Sequence, residues 1–284
     1  MTKATTLFSI LVASQAAYAK INRIVAYADS LTDNGNCYRY SGIPSAPYHE
    51  GRFSNGPTWI DYTAKALGVP QTNHGYGGAT SNNDYVYSQF GDYVIPGFKQ
   101  QLEQLPPPSG DQKQNVYVIF IAANDILALG HAGTHIVVRN YTATTIVDNV
   151  MEGVRLLDTT HKARNLLVFN QFPLYRFPSI KSQDKAYIKN VISQFNSELF
   201  KRVDAMKKAH ITHVDVHTWL TGILDDPTAY SFKITNTSCL NSSGACDSPD
   251  EYVLWDTIHP TTKLHKLLGE YVATIISKNF DSRT

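Results

Sequence analysis

What the chain lacks narrows its class before any motif is read. No apolar run approaches the length of about 20 residues that a membrane-spanning helix requires, so no stable membrane anchoring is expected. Charge of one sign is not in excess: 25 basic side chains face 24 acidic ones. A balanced surface gives no electrostatic reason to expect nucleic acid or an anionic membrane as a partner. Low-complexity tracts and internal repeats are absent, and "LPPPSGDQKQ" (105–114), the most linker-like stretch, is too short to divide the chain. Cysteine is scarce, with three copies, and the spacing of Cys37 to Cys239 and Cys246 suggests no metal site.

What is present begins with residues 1–19, "MTKATTLFSILVASQAAYA", laid out as a secretory signal peptide. Lys3 lies near the start, an apolar centre runs from about Leu7 to Ala13, and small residues stand at Ala17 and Ala19. The expectation is a secreted, extracellular protein whose mature chain, 20–284, forms one domain. Cys239 and Cys246 lie in the polar stretch "TNTSCLNSSGACDSPD", where a short disulfide is expected in an oxidising compartment. Asn140, Asn236 and Asn241 each open an acceptor sequon, consistent with N-glycosylation of surface loops.

Short apolar runs alternate with amphipathic segments. "NRIVAY" (22–27), "VYVIFIA" (116–122), "NLLVFN" (165–170) and "ITHVDVH" (211–217) read as strands rich in Val, Ile and Phe. "PTWIDYTAKALG" reads as a helix with Pro57 in its first turn and Gly68 at its end. Ile146, Val150, Val154 and Leu157 mark a helix over 142–162, and Ile188, Ile192, Phe195 and Leu199 another over 184–209. A last helix follows Pro260, with Leu264, Leu268 and Ile275 on one face. The alternation argues for an α/β fold with a parallel, helix-covered sheet, whose ligands gather at the carboxyl ends of the strands.

Ser30 ("YADSLTDNGN"), Asn124 ("FIAANDIL") and "FNQFP" all lie just past such ends. A serine becomes a nucleophile only when a base takes its proton and a third group orients that base. Among ten histidines, His259 stands out in "WDTIHPT", three residues after Asp256. That spacing lets the carboxylate reach one ring nitrogen and leaves the other for a hydroxyl; equally, Asp256 could cap the following helix. Acyl transfer also needs donors for an oxyanion. "NHGYGGATSNN" offers the N–H groups of Gly77 and Gly78, and Asn124 offers an amide; read alone, these are a glycine turn and a helix cap. "HAGTH" sets His131 and His135 four apart, but Gly133 disfavours a helix and no glutamate accompanies them, so no metal is expected. "GYGG" lacks a phosphate-loop lysine, and no cofactor is implied.

Taken in order, "ADSLTDNGN", "NHGYGGATS", "IAANDI" and "DTIHPT" resemble the successive blocks of the GDSL esterases and lipases, the SGNH hydrolases. "GRFSNGPTWIDYTAKALG" and "LLVFNQFPLYRFP" resemble segments of that family's secreted branch, and the likeness runs from about residue 23 to 276. The resemblance implies a three-layer α/β/α sandwich with a flavodoxin-like sheet. It implies Ser30 as nucleophile, His259 as base and Asp256 as its partner. Ser30, Gly78 and Asn124 would be the oxyanion donors. A small-molecule, glycan or lipid ester would be the substrate, with short acyl chains favoured; the tyrosines and Trp59 would suit a carbohydrate surface or, equally, core and loop packing.

Two positions depart from the pattern: Ala28 and Ala122 stand where the family has glycine. If either backbone needs a left-handed conformation, alanine costs roughly 1–2 kcal/mol. A non-catalytic secreted binding protein on the same fold is the alternative.

Overall fold

Residues 21–206 and 210–280 are described by the computed structural model. The expected leader and residues 207–209 of the expected 184–209 helix lie outside them.

The four apolar runs become strands of one parallel five-stranded sheet: β1 (Arg23–Ala28), β3 (Asn115–Phe120), β4 (Asn165–Phe169) and β5 (His210–Val214). Only β3 and β4 are buried along their whole length, and β1 nearly so, as expected of strands covered on both faces. β2 (Gln71–Asn73) completes the order β2-β1-β3-β4-β5, the flavodoxin-like arrangement. Its three polar residues carry no apolar signal; it exists because its backbone pairs with Ile24, Val25 and Ala26 of β1. β5 ends at Val214, earlier than expected, because Asp215 caps the next helix by accepting the Thr218 N–H at 3.0 Å.

Eight α-helices accompany the strands among the described residues: α1 (Asn36–Ser41), α2 (Trp59–Leu67), α3 (Phe98–Gln104), α4 (Ala123–Leu129), α5 (Ala143–Thr159), α6 (Lys185–Asp204), α7 (Val216–Asp225) and α8 (Thr262–Phe280). α2 packs on α8 on one side of the sheet, and Trp219 of α7 stacks on Tyr271 of α8. α5 packs on α3 and α6 on the other side, giving three layers. No helix among the described residues is long and apolar enough to cross a membrane.

Pro57 lies outside α2 rather than in its first turn. Thr58, extended at φ −88° and ψ 169°, is the cap, and the Asp61 carboxylate reaches back to its N–H at 3.0 Å. Of the two readings of Trp59, core packing holds and the carbohydrate surface does not: it is fully buried, 5.2 Å from the Phe169 ring. Its indole N–H donates to Thr32 Oγ1 at 3.1 Å, tying the core to the loop after β1.

The strand order reverses between β1 and β3. Such a reversal opens a crevice, because the loops leaving the two strands turn to opposite sides of the sheet. Ser30 follows β1 and Asn124 follows β3, so the two flank that crevice.

Candidate active site

The nucleophile position is made by a tight turn. The Asp29 carbonyl accepts the N–H groups of Thr32 and Asp33, both at 3.0 Å, and its Oδ1 accepts that of Leu31 at 3.1 Å. The chain therefore folds back immediately after the strand, and Ser30 stands at the bend, buried except for a small opening. Ala28 needs no glycine. It is the last residue of β1 and is not among the residues with positive φ. The Gln101 amide pairs with both its N–H (3.1 Å) and its carbonyl (2.9 Å).

The "WDTIHPT" loop brings a base to this serine. His259 Nε2 lies 2.9 Å from Ser30 Oγ, and His259 Nδ1 lies 2.7 Å from Asp256 Oδ2. Asp256 does not cap α8, which begins only at Thr262. Instead its Oδ1 accepts the N–H groups of Ile258 (2.8 Å) and His259 (2.6 Å), so the carboxylate shapes its own turn. Tyr48 donates its hydroxyl to Oδ2 at 2.7 Å. Burial opposes ionisation of Asp256, but the facing His259 and these hydrogen bonds prevail and hold it down to about 2. Burial and the neighbouring carboxylate push the Tyr48 phenol well above its ordinary value, so it remains a donor.

Facing the serine is a set of free donors. Gly78 adopts φ +85°, and a Cβ there would meet Ser88 Cβ at 2.9 Å, so both conformation and space demand glycine. Neither the Gly78 N–H nor the Ser30 N–H donates to an acceptor among the described residues. Asn124, in the first turn of α4, gives one amide hydrogen to the Ala79 carbonyl at 2.8 Å and keeps the other. These three residues and His259 line one cavity of about 120 Å³.

Two buried aspartates hold the glycine block in place. Asp33 accepts the N–H groups of Gly35, Asn36, Cys37 and, across the chain, Gly77 at 2.8 Å. Asp125 accepts the Ser81 N–H at 2.8 Å and its hydroxyl at 2.6 Å. Gly78 is thus pinned on both sides, toward β1 and toward β3. Burial outweighs these hydrogen bonds and pushes Asp33 up to about 6 and Asp125 up to about 7.

Ala122 contrasts with Ala28. It caps α4 at φ +101° and ψ −4°, a left-handed conformation that costs alanine about 1–2 kcal/mol. The strained residue stands two positions before Asn124.

The remaining candidates separate. Cys37 is buried, and burial pushes its thiol up to about 12. Cys239 and Cys246 form a disulfide in a loop whose Cys239 N–H donates to the carbonyl of Leu254, on the approach to Asp256. Asn140, Asn236 and Asn241 are exposed. His131 is exposed, whereas His135 turns inward and lines the cavity with Ser30. Among the described residues no three His, Cys, Asp or Glu side chains cluster to hold a metal. Tyr48, Asp33, Asp125 and His135 are site residues that sequence reasoning missed; of these only Tyr48 lay outside the stretches already singled out.

A serine hydrogen-bonded to a histidine–aspartate pair, beside unpaired donors at the switch point of a parallel sheet, defines the layout of a serine hydrolase. The profile of the family "GDSL-like Lipase/Acylhydrolase" matches residues 24–272, and the chain belongs to that family. It is 24% identical to a phosphatidylcholine-sterol acyltransferase of Aeromonas hydrophila, over 92% of this chain and 91% of that protein. It is 24% identical to a GDSL esterase/lipase of Arabidopsis thaliana, over 88% and 90% of the two chains. Among solved structures, Est24, a carbohydrate acetylesterase from Sinorhizobium meliloti, superposes with a TM-score of 0.51 at 15% identity, covering 90% of this chain and 99% of the other. That likeness concerns the fold.

Proposed function

We propose that the chain is a secreted hydrolase that cleaves carboxylic esters through an acyl-enzyme. The observation that carries the reading is the unbroken relay from Ser30 Oγ to His259 Nε2 (2.9 Å) and from His259 Nδ1 to Asp256 Oδ2 (2.7 Å). In this reading His259 takes the Ser30 proton as Oγ attacks the ester carbonyl. The oxyanion of the tetrahedral intermediate accepts hydrogen bonds from the Ser30 and Gly78 N–H groups and the free Asn124 amide hydrogen. His259, now imidazolium and facing an ionised Asp256, gives its proton to the leaving alcohol. Water repeats the cycle and releases the acid.

The cavity beside Ser30 is small, at about 120 Å³, and Phe53, Phe90 and Leu127 contribute to its lining. That supports a short acyl group on a small-molecule, glycan or lipid alcohol. Secretion is supported by the leader-like pattern of residues 1–19, by three exposed sequon asparagines and by the disulfide. A binding protein would have no need of the intact relay, which disfavours the non-catalytic alternative.

The test uses the full chain made in a secreting host. Protein recovered from the medium should begin at Lys20 and hydrolyse 4-nitrophenyl acetate, and Ser30→Ala should lower kcat by about 10⁴-fold or more. Hydrolysis by the wild type no faster than by the variant overturns the enzyme reading; material retained in the cells with its leader overturns the secretion reading.

A further inference from the structure

One wall of the cavity is built from two segments far apart in sequence. Val86 pairs with Val137 and Tyr87 with Ile136 in an antiparallel ribbon, and the next pair in that register is Ser88 with His135. The two side chains meet: His135 Nδ1 lies 2.9 Å from Ser88 Oγ. The opposite edge of the ring lies against Gly133, where a Cβ would come within 2.8 Å of Nε2. Gly133 has φ +75°, so glycine there both permits the bend and makes room for the imidazole. The ring is held from both edges. Its Nε2 is buried without a hydrogen-bond partner among the described residues and faces Gly133, so His135 is not placed as a second base for Ser30.

The direction of the relay decides which part of an ester meets this wall. His259 must reach the leaving oxygen, so the alcohol lies on the His259 side, where the Phe53 ring centroid is 5.0 Å from that of the imidazole. The acyl chain then extends away from His259 into the rest of the cavity, whose lining includes Phe90, Leu127 and His135.

We propose that His135 is the specificity-determining residue that sets the upper limit of acyl-chain length, its clamped ring closing the acyl end of the cavity. The inference rests on the esterase reading and adds to it the residue that selects the acyl group. A longer acyl chain would have to displace the ring and break its hydrogen bond to Ser88. Alanine leaves the space open, whereas phenylalanine retains a ring of similar size. Each methylene newly accommodated in an apolar pocket is worth about 10-fold or more in kcat/KM.

The experiment measures kcat/KM for 4-nitrophenyl esters from acetate to octanoate with the wild type, His135→Ala, His135→Phe and Ser88→Ala. The ratio of octanoate to acetate should rise at least about 10-fold in His135→Ala and by smaller factors in His135→Phe and Ser88→Ala, each of which keeps a ring but loses its hydrogen bond. Should His135→Ala fail to fold, as judged by circular dichroism and thermal unfolding, the Ser88→Ala ratio decides. A parallel loss on every ester, with the ratio unchanged, overturns the role of His135 while leaving the esterase reading intact. A wild type no more active than Ser30→Ala on any ester overturns both.

Discussion

The Tyr48 hydroxyl and the His259 ring share one oxygen of Asp256: Tyr48 OH and His259 Nδ1 each lie 2.7 Å from Oδ2. Tyr48 comes from a loop 208 residues earlier in the chain, so the orientation of the Asp256 carboxylate depends on a distant segment. Tyr48→Phe keeps the ring and removes the donor. A hydrogen bond to a charged group is worth about 1.5–3 kcal/mol, and Asp256 retains the N–H groups of Ile258 and His259. The expected result is a fall in kcat of about 10-fold with KM nearly unchanged, by steady-state kinetics on a short ester. A change in KM alone would show that Tyr48 acts on substrate binding instead.

Asn124 divides its amide between structure and chemistry. One hydrogen holds the Ala79 carbonyl, and the other is free toward the cavity. Asn124→Ala should lower kcat by about 10²–10³-fold, the usual cost of losing an oxyanion donor. A variant whose kcat stays within a factor of about three of the wild type would remove Asn124 from the oxyanion site.

The two alanines should respond in opposite directions to glycine. At Ala122, with φ +101°, glycine relieves about 1–2 kcal/mol of left-handed strain and loses about 0.5–1 kcal/mol of backbone entropy. The expected outcome is a Tm higher by about 1–3 °C. At Ala28, buried in β1, glycine relieves nothing and should lower Tm by a similar amount. Differential scanning calorimetry of both variants checks this, and shifts of the same sign would contradict the assignment of strain.

Asp125 carries a pH signature. Burial pushes its carboxyl up to about 7, whereas in the unfolded chain it titrates near 3.9. Between these values the folded state keeps a proton that the unfolded state releases, so this contribution to stability is complete below about pH 4 and is lost as pH rises through about 7. Asp125→Asn would mimic the protonated form, the new carboxamide accepting the Ser81 N–H through its oxygen and donating an amide hydrogen to Ser81 Oγ. Urea midpoints should favour the variant more at pH 8 than at pH 5. An offset equal at both pH values would rule out this titration.

The apolar runs determined the strands of the sheet interior by themselves, because residues covered on both faces leave a continuous hydrophobic signature. β2 left none: three polar residues at an edge are held by backbone pairing, which side-chain pattern does not encode. Ser30, Asp256, His259, Gly78 and Asn124 were legible through the ordered blocks that resemble the family, each block alone being open to a turn or cap reading. Their convergence was decided by strand order, which sets the loops after β1 and β3 at one crevice. Tertiary structure alone also separated Ala28 from Ala122. The same residue type is relaxed at the end of a strand and strained at φ +101°, because the path of the backbone through the fold, not the side chain, chooses the dihedral. Tyr48, Asp33, Asp125 and His135 joined the site in the same way, through contacts between segments that only the folded chain brings together.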